Sequence, residues 1–190
     1  MTLSGETRRD SRGLILSAAR QEFGQQGYAG GRVDRIARRA GVNKQLIFYY
    51  FGSKAGLFQA VVESASRDIA SDAGAAGLSG GPLDQLRALL ERAFNTLAAN
   101  ADLLRATVVA SETGEGSRAL WAEHLAQLGE TIRALVSDAQ GLGYVRDDVD
   151  PAIVAHTAVA TVVGSVVLPG ASGDRRPLGE IDLLIRGLAW

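Results

Sequence analysis

The segment at residues 33–54 constrains the fold of this chain more than any other stretch. It reads VDRIARRAGVNKQLIFYYFGSK, and two short helical patterns meet in it at Ala40-Gly41-Val42. Apolar residues recur at helical spacing on one face of each pattern. Gly41 stands at the corner, where a tight turn needs a positive φ that glycine adopts without steric cost. Together these features are typical of a helix-turn-helix.

The other face of the second pattern is polar and predicts contact with nucleic acid. It carries Asn43, Lys44, Gln45, Tyr49 and Tyr50. Such side chains bind phosphates, and lysine and glutamine also pair with guanine and adenine edges in the major groove. We therefore predict that this segment reads DNA. The alternative is that the lysine and glutamine are ordinary solvated residues and that one of the tyrosines belongs to the core.

The charge distribution also favours a nucleic-acid-binding N-terminal part. The formal net charge is −1, yet residues 1–60 hold ten Lys and Arg against four Asp and Glu. The rest of the chain holds ten basic and seventeen acidic side chains. A basic head on an acidic body indicates that only the head meets a polyanion. Chance clustering of surface charge is the alternative explanation.

Around this segment the chain reads as a series of helices. Residues 1–9 are expected to form a disordered arm that either frays or enters a minor groove. A helix over residues 10–26 is expected to stop at Gly27 and to pack across the helix-turn-helix, because two helices alone cannot bury their own faces. Ser53 is placed to cap a fourth helix that begins at Lys54 and links the head to the body.

The remainder predicts a helical body without strands or internal repeats. The Gly-, Ala- and Ser-rich stretch at residues 71–81 is expected to be flexible, and the glycines at 114–116 are expected to break the chain. The helix after Asp150 is apolar almost all round, so it must be covered on every side. Apolar stripes predict five helices here, beginning near Pro82, Ala101, Ser117, Pro151 and Leu178. The fold class is therefore all-α, with about nine helices.

Composition bears on compartment and membrane contact. The chain has no cysteine, which excludes disulfides and thiolate chemistry. Its polar N-terminus does not resemble a secretory signal. The apolar run at residues 152–168 is interrupted by His156 and hydroxyl side chains, and it falls short of the roughly 20 residues that a membrane span needs. We expect a cytoplasmic protein without a membrane partner.

No pattern in the sequence points to catalysis. A nucleophile elbow, a phosphate loop and a paired-carboxylate constellation are all missing from it. The two histidines, without cysteine, match no metal-ligand spacing. We expect a protein that is not an enzyme and that has no cofactor and no metal site.

The head resembles that of a known family. The run GVNKQLIFYYFGSKAGLF, preceded by VDRIARRA and by a helix ending FGQQGY, is similar to the DNA-binding head of the tetracycline-repressor (TetR) family. This resemblance covers about residues 10–60 closely. Further on, GYVRDDVDP, the apolar helix and LLIRGL resemble the C-terminal half of the same family.

The resemblance implies both an architecture and a way of working. The all-α chain would consist of a three-helix DNA-binding head at residues 1–55 and a helical ligand-binding and dimerisation domain at residues 56–190. It would form a homodimer through a four-helix bundle made of the last two helices of each subunit. Its partners would be double-stranded operator DNA and a small-molecule effector, and effector binding would release the DNA.

The chain departs from the family pattern at four places. Gly31-Arg32 replaces the usual Thr or Ser, so a hydroxyl contact to phosphate is missing and Arg32 can supply a charged one. Asn43 replaces a serine cap and can do the same job. Phe48 replaces a common tyrosine and removes a hydroxyl contact. Ala55-Gly56 replace acidic residues that would stabilise a helix N-terminus.

Motif and resemblance together define the candidate DNA contacts. Lys44 and Gln45 lie at the start of the recognition helix, the end that usually faces base edges. Arg38 and Arg39 either touch the DNA backbone or only solubilise the head. The predicted contacts are Arg32, Asn43, Lys44, Gln45, Leu46, Tyr49, Tyr50 and Lys54. The predicted core residues of the head are Phe23, Ile36, Val42, Ile47 and Phe51.

The body offers fewer signals. Aromatic side chains with a few polar groups suit a ligand pocket, although a histidine near an apolar stripe is commonly a satisfied core or interface residue. The candidate ligand-binding residues are Phe94, Trp121, His124 and His156. The candidate dimer-interface residues are Val159, Val163, Val167, Ile181, Leu184 and Leu188.

These observations lead to one principal hypothesis and two rivals. The principal hypothesis is a homodimeric transcriptional regulator, a repressor that a small molecule releases from a near-palindromic operator. The first rival is a constitutive DNA-organising protein with the same head and no inducer. The second is a helical enzyme or carrier in which the head is vestigial.

Overall fold

Nine α-helices account for almost all of the described chain. The computed structural model describes residues 5–74, 77–109, 114–168 and 178–188, and it contains no strand within these ranges. The prediction of an all-α fold with about nine helices is confirmed. The helices are α1 (Gly5–Gly30), α2 (Val33–Ala40), α3 (Lys44–Phe51), α4 (Lys54–Asp72), α5 (Pro82–Ala99), α6 (Ala101–Val109), α7 (Gly114–Gly141), α8 (Pro151–Val167) and α9 (Leu178–Leu188).

The chain divides into two compact units. The first comprises Met1–Ser66 and Asn100–Leu120, and the second comprises Arg67–Ala99 and Trp121–Trp190. Helix α6 therefore belongs with the head helices, and it packs against α1. This division is based on backbone contacts. It does not test the predicted functional boundary between a DNA-binding head at residues 1–55 and a body at residues 56–190, which stays a prediction.

The core of the first unit is built around Phe23. Its ring meets the ring of Phe58 edge-on at 5.2 Å between centroids, and Tyr28 lies 5.1 Å from the same Phe58 ring. Phe23, Ile36 and Ile47 are buried as the sequence predicts, whereas Val42 and Phe51 are half-buried. Other buried side chains of this core are Ile15, Ala18, Ala19, Val33, Ala37, Leu57, Val61, Val62 and Ala65.

Helix α1 differs from its sequence-based prediction at both ends. Gly27 does interrupt the helix, with φ 66° and ψ 175°, but the chain returns to helical geometry until Gly30. The backbone of residues 5–9 is helical, so the expectation of an irregular arm is wrong there. Residues 1–4 lie outside the described part of the chain.

The approach of Phe23 to the backbone explains why glycine precedes Arg32. A Cβ atom on Gly31 would lie 2.5 Å from Cδ1 of Phe23, far inside van der Waals contact. Serine or threonine at position 31 would therefore displace the central ring of the core. Glycine at this position thus suits the close packing of the Phe23 ring.

The helix-turn-helix closes as its sequence predicts. Gly41 adopts φ 67°, and the N–H of Val42 donates to the carbonyl of Ala37 across the turn. The side chain of Asn43 accepts from the N–H of Gln45 at 2.9 Å and caps α3. Ser53 Oγ accepts from the N–H of Gly56 at 3.0 Å at the start of α4. Both predicted caps are confirmed.

In the second unit, α5 packs against α8 and α9. Arg87 on α5 forms an ion pair with Asp182 on α9. The Asp150 side chain accepts from the N–H of Ala152 at 2.8 Å and caps α8, with Pro151 in the first turn as predicted. The predicted chain break at residues 114–116 is wrong, since α7 already begins at Gly114.

Helix α8 is covered on one side only within its own chain. Val154, Ala155 and Ala158 are buried on that side. Ile153 is 64% exposed and His156 is also exposed. The expectation that this apolar helix is covered all round is therefore not met by the single chain. Among the described residues, no helix is both long and apolar enough to cross a membrane.

Candidate nucleic-acid interface

Most of the predicted DNA contacts lie at the surface of the first unit, directly before α2, in the turn and on α3. Helix α3 buries Ile47 and directs its polar side chains away from that residue. The exposed residues of the predicted set are Arg32, Asn43, Lys44, Gln45 and Tyr49, and the half-buried ones are Leu46, Tyr50 and Lys54. The set therefore contains an outer group available to a ligand and an inner group shared with the core.

The two adjacent tyrosines fall into different groups. Tyr49 is 69% exposed, so its phenol is available to a phosphate. Tyr50 is half-buried and lies 6.2 Å from Phe51 between ring centroids. The two tyrosine rings meet nearly edge-on at 5.4 Å, which holds Tyr49 in place from one side. Tyr50 thus belongs partly to the core, which was one of the two alternatives for this pair.

Lys44 is held by two neighbours. Its Nζ atom lies 2.8 Å from Oδ1 of Asp34 on α2, and 5.9 Å from the centroid of the exposed Phe48 ring. The hydrogen bond from Lys44, and then its charge, lower the pKa of Asp34 below its ordinary value. Desolvation opposes this shift, while the charges of Arg32 and Arg38 add to it. Asp34 is therefore a carboxylate at neutral pH.

Lys54, a predicted DNA contact, also has partners within the head. Its ammonium donates to the carbonyl of Ala29 at 3.1 Å and lies 4.8 Å above the ring of Tyr28. These contacts tie the start of α4 to the end of α1. Because an ammonium has three protons, the carbonyl bond leaves two donors that a phosphate can use.

Glu22 organises the N-terminus of α2, and the sequence did not reveal it. The side chain of Arg32 makes no capping bond; its backbone N–H donates to Oε1 of Glu22 at 3.1 Å. The same oxygen lies 3.0 Å from Nε of Arg35. Glu22 is only 1% exposed. An acid directly before the core residue Phe23 was the one available signal, since a buried carboxylate needs partners.

The basic side chains of α2 line an open cleft. Arg32, Asp34, Arg35 and Arg38 surround a volume of about 420 Å³. Arg39 points elsewhere and donates to Oε1 of Gln21 at 2.9 Å. Of the two arginines whose roles the sequence left open, Arg38 therefore lies at the cleft and Arg39 is engaged by α1.

The candidate ligand residues all belong to the second unit. Phe94 and His124 are half-buried, and His156 is exposed. Trp121 is 4% exposed, and no described residue accepts a hydrogen bond from its Nε1 atom. A buried donor without an acceptor is costly, which makes Trp121 the most informative of the four. Among the described residues, no cluster of three or more His, Asp or Glu side chains could hold a metal ion.

The candidate dimer residues divide by burial. Ile181 and Leu188 are buried within their own chain, on the side of α9 that carries the buried Ile185. Val159, Val163, Val167 and Leu184 are half-buried. Next to them Leu183, which was not among the predicted interface residues, is 73% exposed.

Comparison with known proteins identifies the family. The sequence model described as "Bacterial regulatory proteins, tetR family" matches residues 15–61. The HTH-type transcriptional repressor SCO4008 of Streptomyces coelicolor is 32% identical over 158 residues, which is 82% of this chain and 78% of that protein. This protein belongs to the TetR family.

Two further comparisons extend over nearly the whole chain. The HTH-type transcriptional repressor AcnR of Corynebacterium glutamicum is 28% identical over 187 residues, covering 97% of this chain and 95% of that protein. The crystal structure of a TetR transcriptional regulator from Chloroflexus aurantiacus superposes with a TM-score of 0.76 at 25% identity, covering 95% of each chain. The TetR-family protein is therefore a DNA-binding transcriptional regulator, similar throughout its length to repressors.

Replacing Glu22 tests its role at the start of α2. In Glu22→Ala the N–H of Arg32 loses its acceptor, and we expect the free energy of unfolding to fall by about 1–3 kcal/mol. In Glu22→Gln the free energy of unfolding should fall by less, because the amide oxygen can still accept from the N–H of Arg32. Urea denaturation followed by circular dichroism measures both. Glu130→Ala, which removes an exposed acid from α7, is the control and should change little. Equal midpoints for all variants would contradict the assignment.

Proposed function

We propose that this TetR-family protein is a homodimeric repressor that leaves a near-palindromic operator when a small molecule binds to its helical body. The observation that carries the proposal is the outer face of α3. Lys44, Gln45 and Tyr49 are exposed there, at and after an Asn43 cap that orients the helix start. An operator lies on the bacterial chromosome, so the protein would act in the cytoplasm.

The head suits entry of α3 into a major groove. Recognition helices of this type present their N-terminal residues to base edges, and Lys44 and Gln45 are the first two residues of α3. Arg32, Tyr49 and Lys54 would bind phosphates on either side. In a dimer the two heads would occupy successive major grooves, about 34–36 Å apart in the simplest arrangement.

Two alanine variants test the DNA interface. Lys44→Ala removes a base-contacting donor, and we expect a loss of about 1–3 kcal/mol in binding to the operator, roughly five- to 150-fold in affinity. Tyr49→Ala should weaken binding to all DNA sequences alike, because a phosphate contact carries no sequence information. Fluorescence anisotropy with an operator selected by the wild-type protein measures both effects.

Matched controls exist in the second unit. Arg133→Ala removes an exposed positive charge, and Tyr144→Ala removes an exposed phenol. Both controls should bind the operator like the wild type. Undiminished operator affinity in Lys44→Ala and Tyr49→Ala together would overturn the site assignment.

The apolar faces left uncovered on α8 and α9 support the homodimer. Val159, Val163 and Val167 follow one another every four residues beside the buried stripe of α8 and therefore share a face. On α9, Leu183 and Leu184 lie beside the buried Ile185. A second copy of these two helices would complete a four-helix bundle. Ile181 and Leu188 would then support the bundle from within each chain.

A charge placed on this face tests the dimer. We expect Val163→Glu to shift the protein from dimer to monomer, because an unpaired carboxylate would be buried in the bundle. Sedimentation equilibrium at micromolar concentration measures the mass, and circular dichroism verifies that the helices persist. Leu142→Glu, at an exposed site after α7, is the control and should stay dimeric. A dimeric, folded Val163→Glu protein would exclude this face.

The buried indole of Trp121 supports an effector site in the body. Its unpaired Nε1–H would be satisfied by an acceptor on a bound molecule, and the half-buried Phe94 and His124 belong to the same unit. Such a molecule lowers operator affinity only as far as it prefers the conformation that cannot bind DNA. We infer an effector that combines an apolar body with at least one hydrogen-bond acceptor.

Trp121→Phe tests this inference after a thermal-shift screen has found a compound that stabilises the wild-type protein. Phenylalanine keeps an aromatic side chain but removes the donor. We expect effector affinity to fall by about 1–3 kcal/mol and operator affinity without effector to stay unchanged. If no compound both stabilises the protein and releases operator DNA, the constitutive DNA-organising alternative is favoured.

A further inference from the structure

An acidic side chain stands at the centre of the basic DNA-facing surface. Asp34 lines the α2 cleft together with three arginines. Its Oδ1 atom lies 2.8 Å from Nζ of Lys44, and the two side chains are 64% and 47% exposed. An ion pair so exposed contributes little to folding stability, and a carboxylate at this place repels phosphate. Its position in the first turn of α2 suits the helix dipole, and its pairing with Lys44 indicates a further role at the DNA.

We propose that Asp34 is a specificity-determining residue, which accepts a hydrogen bond from the amino group of cytosine in the major groove while Lys44 donates to the guanine of the same base pair. This inference rests on the proposed operator contact of Lys44. It adds the identity of the base pair and a residue on α2, outside the recognition helix, that helps to read it.

Counting donors and acceptors favours a C·G pair. An ammonium has three protons, and one of those on Lys44 is directed to Asp34. The two that remain match O6 and N7 of guanine, which lie side by side at the groove edge. The ionised carboxylate can only accept, and N4 of cytosine is the donor that the same base pair displays. The contact between Asp34 and Lys44 thus places an acceptor beside two donors in the pattern that this pair requires.

The ionised state of Asp34 disfavours the bases that present an acceptor to it. Lys44, Arg32 and Arg38 hold its pKa below the ordinary value, so it carries no proton to donate near neutral pH. A carboxylate facing O4 of thymine or O6 of guanine would meet another acceptor and repel it. Asp34 therefore penalises base pairs that place thymine or guanine opposite it, and specificity commonly needs such a repulsive element. Adenine presents an amino donor instead, and it is disfavoured because its partner thymine offers Lys44 only one acceptor, O4.

The same charge lowers affinity for DNA that lacks the correct base. Non-specific binding is dominated by phosphate contacts of basic residues, and Asp34 offsets part of the charge of Arg32, Arg35 and Arg38. Removing the acid should therefore have opposite effects on two measurable quantities. Affinity for random DNA should rise, while the ratio of operator to random affinity should fall.

Selection from a randomised duplex library tests the proposal. The wild-type protein should select a half-site with one invariant C·G pair, and Asp34→Ala should lose that preference. In direct titrations at fixed salt, changing this pair to A·T should cost the wild type roughly tenfold or more and cost Asp34→Ala much less. Asp34→Asn keeps the shape of the side chain and should admit adenine, because an amide both accepts from N6 and donates to N7.

Glu130→Ala is the matched control. Glu130 pairs with Arg133 at 2.6 Å, and the two side chains are 68% and 49% exposed, close to the values for Asp34 and Lys44. Glu130→Ala changes the net charge by the same amount as Asp34→Ala. It should leave both the selected sequence and the ratio of operator to random affinity unchanged.

The outcomes separate this inference from the proposed function. If folded Asp34→Ala and Asp34→Asn select the wild-type sequence with undiminished preference at every position, the role of Asp34 is excluded. An equal rise in operator and random affinity would also exclude it, since the acid would then act only by general repulsion. If the wild-type protein itself selects no sequence, the proposed operator binding fails instead.

Discussion

A single buried carboxylate positions the DNA-reading part of this protein. Glu22 on α1 accepts from the backbone N–H of Arg32, the residue directly before α2, and pairs with Arg35. Beside it the Phe23 ring lies so close to Gly31 that a side chain there would displace the ring. These contacts connect the supporting helix to the start of the helix-turn-helix. A recognition helix reads bases only when its supporting helix is held firmly, so the DNA interface depends on this junction.

The proposed DNA interface would combine attraction with discrimination. Arginines of α2 and the first residue of α3 supply positive charge, which favours any nucleic acid. Asp34 reduces that attraction and constrains Lys44 through a direct ion pair. The Tyr49 ring packs against the Tyr50 ring, and the Lys54 ammonium donates to the carbonyl of Ala29. Contacts within the head thus limit the freedom of the side chains that we propose to bind DNA, which would lower the entropy cost of binding.

Local signals in the sequence predicted the head well and the body less completely. Gly41, Asn43 and Ser53 act at turns and caps, where a residue type determines the backbone within four positions, and all three behave as predicted. The break expected at residues 114–116 failed, since α7 begins at Gly114 although glycine is a weak helix former. Periodicity predicted α8 and α9 as helices, but it could not tell which apolar residues of each helix face the chain's own core.

The sequence by itself determined the helix-turn-helix, the family, the order of the helices and the basic character of the head. These properties depend on neighbours in the chain and on residue counts. Only the tertiary structure revealed the role of Glu22, the pairing of Asp34 with Lys44 and the packing of α6 on α1. Each of these joins residues from different helices. A one-dimensional pattern specifies the face of a helix but not the side chain that it will meet there.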